Sequence, residues 1–179
     1  VALVAGGASA FNQILERDTD ARMRRTRERP LPAGRLHPGE ARVFASVLSM
    51  SGAAYLAVLV NARVCILGGI AWVSYVLIYT PLKKRTPFCT LVGAIPGAIP
   101  PVMGWVAATN SFGAGAWSLF AILFAWQIPH FLALAQMYRE DYGRVGFPML
   151  PVVDADGNRT AFHILAFGMA LLGASLMPS

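Results

Sequence analysis

The sequence predicts an all-α protein, a polytopic bundle of transmembrane helices. Of its 179 residues 56% are hydrophobic and only 13% charged, where a soluble domain carries about 25% charged residues. Mean hydropathy is +0.54. The apolar residues come in continuous runs of helical length rather than in short alternating segments, which sets a β-barrel aside.

Six apolar segments are expected. The first, roughly Val1 to Leu15, reads as a truncated span. The second, Val43 to Val60, carries no charge, and only Asn61-Ala62-Arg63 separates it from the third, Val64 to Leu82. From Thr86 to Tyr138 there is no Lys, Arg, Asp or Glu. That stretch is too long for one span, since about 20 residues cross a bilayer. Thr109-Asn110-Ser111-Phe112-Gly113 is its natural break, giving the fourth and fifth spans. The sixth, Ala161 to Met177, follows the polar loop Val153 to Asn158. Both ends lie within or beside apolar runs, so a single domain over 1–179, truncated at both ends, is expected.

The net charge of +6 does not imply nucleic acid. The loop from 16 to 42 holds eight basic residues, the loop after the third span holds Lys83, Lys84 and Arg85, and the loop after the fifth holds Arg139, Arg144 and Arg159. The two alternate loops hold only Arg63. Such alternation is the positive-inside pattern, and it puts the basic loops on the cytoplasmic face. Cys65 and Cys89 have no partner spacing and support neither a disulfide framework nor a zinc site.

The first basic loop opens with a second pattern. Asn12, Glu16 and Asp20 are four residues apart, so on a helix they form one polar stripe. Arg22, Arg24, Arg25, Arg27 and Arg29 follow at once. Charge this dense beside lipid is costly unless it holds something ionic. Mg²⁺ takes one or two carboxylates together with phosphate oxygens and waters. Guanidinium groups hold phosphate oxygens directly. Together these residue types point to a metal-diphosphate site, with Arg22, Arg25 and Arg29 on the anion.

Three further stretches bear on that site. Tyr79-Thr80-Pro81-Leu82-Lys83-Lys84 ends the third span, and Lys83 and Lys84 are within reach of the same diphosphate. In Gly93 to Trp105 three prolines and three glycines are expected to break or bend the helix, leaving backbone that must be covered by protein or line a cavity. Trp126-Gln127-Ile128-Pro129-His130-Phe131 places His130 deep in the uncharged region. A haem ligand, a proton-transfer group and a packing residue all remain open for it. On a continued helix Asp141 returns to the face of His130, and Glu140 with Asp141 then forms a second acidic patch.

These motifs resemble the UbiA-type intramembrane prenyltransferases, and among them the branch whose acceptor is haem. N-x-x-x-E-x-x-x-D at Asn12–Asp20 and YTPLKKRT at Tyr79–Thr86 are shared broadly by such enzymes. GAIPGAIPPVMGW, WQIPHF and REDYGRVGFPMLPV, starting at Gly93, Trp126 and Arg139, resemble the haem branch more narrowly. The resemblance implies a nine-helix fold, of which about six spans are present. It implies transfer of the farnesyl group of farnesyl diphosphate to the vinyl group of haem b, giving haem O. Asn12, Glu16, Asp20 and Asp141 would then be catalytic, with Glu140 joining them around Mg²⁺, and His130 would bind haem as substrate rather than cofactor. A bacterial plasma membrane, a haem A synthase as partner and a cytoplasmic active site follow from the same likeness. The alternatives are another acceptor, such as a quinone precursor or chlorophyllide, and a membrane transporter. Two departures stand out: Glu16 occupies a position where many members have Asp, and Met137 lies four residues before Asp141 where a second Asp is common.

Overall fold

A computed structural model describes residues 1–177; Pro178 and Ser179, the last two of the expected single domain, lie outside the described residues. The chain runs through α1 (Ala2–Asp20), α2 (Pro38–Leu59), α3 (Ala62–Leu82), α4 (Cys89–Thr109), α5 (Ala114–Met137), α6 (Arg139–Arg144), α7 (Leu150–Val153) and α8 (Asn158–Ser175). No strand occurs among the described residues. Helices α2 to α5 are long and apolar enough to cross a membrane. The last five residues of α1 carry Glu16, Arg17, Asp18 and Asp20, and α8 opens on Asn158-Arg159, so the first and last apolar segments are helical but not uniformly apolar.

Local chemistry sets the helix ends. His37 caps α2: its Nδ1 accepts from the Gly39 N–H at 3.2 Å, and Glu40 reaches back to the His37 N–H at 3.0 Å. The Asn61 side chain accepts from the Val64 N–H at 2.9 Å and starts α3 directly after α2. Asn110, in the left-handed region with φ 53°, ends α4.

The prolines of the Gly93–Trp105 stretch do not break the helix. Pro96, Pro100 and Pro101 lie inside an α4 that is unbroken over 21 residues. A break in lipid would leave carbonyls that no water can satisfy. The prolines already remove the helical N–H partners of the Val92, Pro96 and Gly97 carbonyls; the Ala94 carbonyl, which is not one of these, receives the Gln127 Nε2 of α5 at 3.4 Å. The irregularity lies instead in α3, where Ser74–Tyr79 is π-helical. Pro81 follows after Thr80; in an α-helix its ring would meet the Leu77 carbonyl, and the wider turn relieves that clash. Thr80 closes the π turn by donating both its N–H and its hydroxyl to the Tyr75 carbonyl.

Helix α1 packs chiefly on α2, α4 on α5, and α5 on α8, while α3 bridges α2 and α4. The central core is Val4, Leu56, Val64, Val102, Met103 and Val106. Apolar side chains such as Val43, Val47, Met50, Val58 and Leu59 face outward from α2, as a lipid-facing surface requires. The up-down order brings the basic loops to one end of the bundle. At the other end Arg63 donates to the backbone and side-chain oxygens of Asn110.

Candidate active site

Asn12, Glu16 and Asp20 form the polar stripe that their spacing implies, and all three are buried. Asp18, off the stripe, is exposed. Each stripe residue meets a different element. Asn12 Nδ2 donates to Thr80 Oγ1 at 3.0 Å, which ties α1 to the end of the π turn. Glu16 Oε2 accepts from Lys83 Nζ at 3.0 Å. Asp20 Oδ2 accepts from Arg29 Nη1 at 2.8 Å.

The segment after α1 is wound rather than extended. Met23, Thr26 and Leu31 are buried, and the Thr26 hydroxyl donates to the Asp20 carbonyl at 2.9 Å. This winding turns Arg29 back onto Asp20 and carries Arg25 across to α6. The Arg25 N–H donates to Asp141 Oδ2 at 3.4 Å, and its guanidinium lies 4.7 Å over the Tyr138 ring and donates to the Tyr142 hydroxyl. The basic loop therefore bridges the two acidic positions, Asp20 and Asp141.

Burial of Lys83 works against its charge, whereas Tyr79, Glu16 and Tyr75 work for it; its pKa is raised. The Glu16 carboxyl is the nearest acid, with Oε2 at 3.0 Å from Nζ. Lys83 also lies 4.7 Å over the Tyr79 ring. It is a fixed cation throughout the neutral range.

These groups line a cavity of about 220 Å³ at the basic end of the bundle. Its walls include Asn12, Glu16, Asp20, Arg25, Arg29 and Lys83. Below it lies an apolar chamber of about 280 Å³ between α1, α3, α4 and α5. Tyr75 and Phe131 line both, so the polar mouth and the apolar chamber share walls. An anion with an attached hydrocarbon tail matches such a pair of spaces.

Not every expected residue reaches the cavity. Arg22 and Lys84 are exposed and do not line it. The Glu140 side chain is 86% exposed and faces Arg144 at 3.9 Å. Asp141 is buried and reaches the site only through Arg25, with Arg144 at 3.6 Å on its other oxygen. His130 is exposed on α5, stacked on Trp126 at 4.8 Å. The expected phase match between His130 and Asp141 does not occur. The backbone leaves helical values at Tyr138 (φ −105°, ψ 25°), which separates α5 from α6 and turns Asp141 inward while His130 stays outward.

Tyr75, Thr80 and Phe131 join the site without having been singled out as site residues. Thr80 and Phe131 lie within stretches already read as bearing on the site, and Tyr75 does not. Tyr75 is brought in by the π turn, which has no signature in composition.

The donor set suits one divalent ion with a phosphate ligand. Glu16 Oε1 is buried with no hydrogen-bond partner, and Asn12 and Asp20 lie one turn to either side on the same stripe. Among the described residues no group of three His, Cys, Asp or Glu converges. Any Mg²⁺ held here would therefore take its remaining positions from substrate oxygens and water.

The family model described as UbiA prenyltransferase matches residues 1–179. The chain is 49% identical over 177 residues to a protoheme IX farnesyltransferase of Solibacter usitatus, covering 99% of this chain and 61% of that protein. It is 47% identical over 178 residues to the protein of that name from Koribacter versatilis, covering 99% and 57%. A third relative of the same name, from Salinibacter ruber, is 48% identical over 177 residues, covering 99% and 62%. The chain thus spans about three fifths of the length of these curated relatives. No solved structure gives a significant match. With its whole length matched, its helices arranged as a membrane bundle and its polar stripe at one mouth, the chain belongs to the UbiA prenyltransferase family.

Proposed function

We propose that this protein transfers the farnesyl group of farnesyl diphosphate to a vinyl group of haem b, forming haem O. One observation carries the reading: the Asn12–Glu16–Asp20 stripe, Lys83 and Arg29 surround a single mouth that shares walls with an apolar chamber. The names of the relatives supply the acceptor and the prenyl group.

Lys83, Arg25 and Arg29 bind the diphosphate oxygens and stabilise the negative charge that grows there as the C1–O bond breaks. Asn12, Glu16 and Asp20 would hold Mg²⁺, which when bound neutralises diphosphate charge. The bonding pair leaves with diphosphate, and an allylic cation develops at farnesyl C1. The apolar chamber shields that carbon from bulk water. The vinyl π pair of haem attacks C1, and water captures the resulting cation. Asp141 orients the Arg25 backbone rather than facing the anion itself. His130, exposed on α5 and stacked on Trp126, lines neither the mouth nor the chamber and has no part in these steps.

In this reading the mouth opens to the cytoplasm of a bacterium, across the plasma membrane, because the basic loops surround it. The product is a substrate for oxidation to haem A, which makes a haem A synthase the natural partner. The test is mass spectrometry of haems extracted after the protein is incubated with haem b, farnesyl diphosphate and Mg²⁺. A farnesylated, hydrated haem is expected. Asp20→Ala should lower its yield by roughly a hundredfold or more with the protein still inserted. Normal haem O from that variant refutes the assignment.

A further inference from the structure

We infer that Gln127 positions the water that completes the reaction, so that the prenylated haem ends as an alcohol rather than an alkene. This inference rests on the function proposed above. That reaction makes two demands on water. It must be kept from farnesyl C1, where it would release free farnesol. It must also reach the vinyl-derived carbon next to the new bond within the lifetime of the cation. Bulk access through the mouth cannot separate two carbons so close together; a single held water can.

The apolar chamber contains one amide suited to this. Gln127 is 5% exposed and lines the chamber. Its Nε2 donates to the Leu123 carbonyl at 3.0 Å and to the Ala94 carbonyl of α4 at 3.4 Å. Two carbonyl acceptors fix which end of the amide is nitrogen, because an oxygen facing them would be repelled. The Oε1 therefore points the other way, over Gly97, whose missing Cβ leaves the volume that this oxygen occupies. Both residues line the chamber. A packing amide would be satisfied by bridging α4 and α5, and Nε2 alone accomplishes that. The oxygen accepts no hydrogen bond from the protein among the described residues.

Position agrees with this role. Phe131 stands at the junction of mouth and chamber, and Gln127 is four residues before it, one turn deeper on the same face of α5. A water donating to Gln127 Oε1 would lie beyond C1, on the chamber side. Its lone pair forms the C–O bond to the vinyl-derived carbon, and its proton passes to the released diphosphate. Without that water the same cation loses a proton from the adjacent carbon and yields the alkene.

The test compares products, not yields. Membranes carrying the protein, Gln127→Met, Gln127→Glu or Gly97→Ala are supplied with haem b and farnesyl diphosphate, and the farnesylated haems are separated by mass. Gln127→Met keeps the length and removes the acceptor; Gly97→Ala pushes the amide aside. Both should raise the ratio of dehydrated to hydrated adduct by about tenfold, the effect of one lost hydrogen bond. Gln127→Glu keeps an acceptor oxygen and should retain the hydrated product. The ratio is read from whatever turnover each variant has, so reduced folding does not mask it. An unchanged ratio in Gln127→Met and Gly97→Ala overturns the inference alone. No farnesylated haem from the unsubstituted protein overturns the proposed function and this inference with it.

Discussion

Glu16 and Lys83 illustrate how single residues set the properties of the mouth. Both side chains are largely buried, 5% and 12% exposed, and they meet at 3.0 Å. The raised Lys83 pKa means that its contribution to stability is complete below the ordinary lysine value and lost only as pH rises through the higher folded value. Lys83 thus keeps its charge at any pH at which a diphosphate enzyme works. Removing one partner leaves the other buried and unpaired, at a cost of about 3–5 kcal/mol. Glu16→Gln and Lys83→Met should each lower the thermal midpoint in detergent, and the double variant should recover most of that loss while remaining inactive. Additive losses in the double variant would mean that the two charges do not act on each other. The stripe itself was legible from spacing, because four-residue repeats share a helix face. Which cation would meet which acid was not, since Lys83 is 67 residues from Glu16 and only the return of α3 brings it back.

At the scale of elements, α8 depends on one carboxylate. Asp154 Oδ2 accepts from the Thr160 N–H at 2.8 Å and from its hydroxyl at 2.7 Å, anchoring the first turn of the helix across Gly157 with φ 72°. Those hydrogen bonds hold the Asp154 carboxyl below its usual range. A lowered folded value means that the stabilisation is complete above the unfolded pKa and lost as pH falls through the folded one. Protection of the amides at the start of α8, taken relative to their intrinsic exchange rates, should therefore be constant between about pH 5 and 8 and fall only below about pH 4. Asp154→Ala should lower that protection above about pH 4 and match the unsubstituted protein once the carboxyl is protonated. Equal exchange in the two proteins at pH 7 would remove Asp154 from this role. The helices themselves were readable from apolar run length, including the break at Thr109–Gly113. The prolines misled as to a break, because a lone helix and a packed one obey different constraints. A chain in water can break at Pro96, whereas in lipid a break would free more carbonyls than those the prolines already leave without helical partners. The π turn at Ser74–Tyr79 is the converse, a change of winding set by Pro81 and closed by Thr80.

Across the whole molecule, the two ends of the bundle differ in kind. One end gathers Arg25, Arg29, Lys83, Glu16 and Asp20 around the mouth; the other joins Arg63 to Asn110. Single cysteines introduced at Arg22, Lys84 or Glu140 should react with a membrane-impermeant maleimide from one side only, and a cysteine at Asn110 from the other. Labelling of both groups from one side would dismantle the topology. Charge alternation alone predicts this sidedness, because lipid forbids charge between the loops. It does not say that three separate basic loops surround one space.

Run length, charge alternation and the four-residue repeat determined that this is a helical membrane protein with an acidic stripe beside a basic loop. They sufficed because a bilayer penalises any other placement of apolar and charged residues. Tertiary structure alone decided that Lys83 and Arg29 face that stripe, that Arg22, Lys84, Glu140 and His130 face away, and that the mouth shares its walls with an apolar chamber. These outcomes depend on the turn at Tyr138, the π winding of α3 and the folding back of the loop after Asp20. Each is fixed by contacts between residues far apart in sequence, which a local pattern cannot encode.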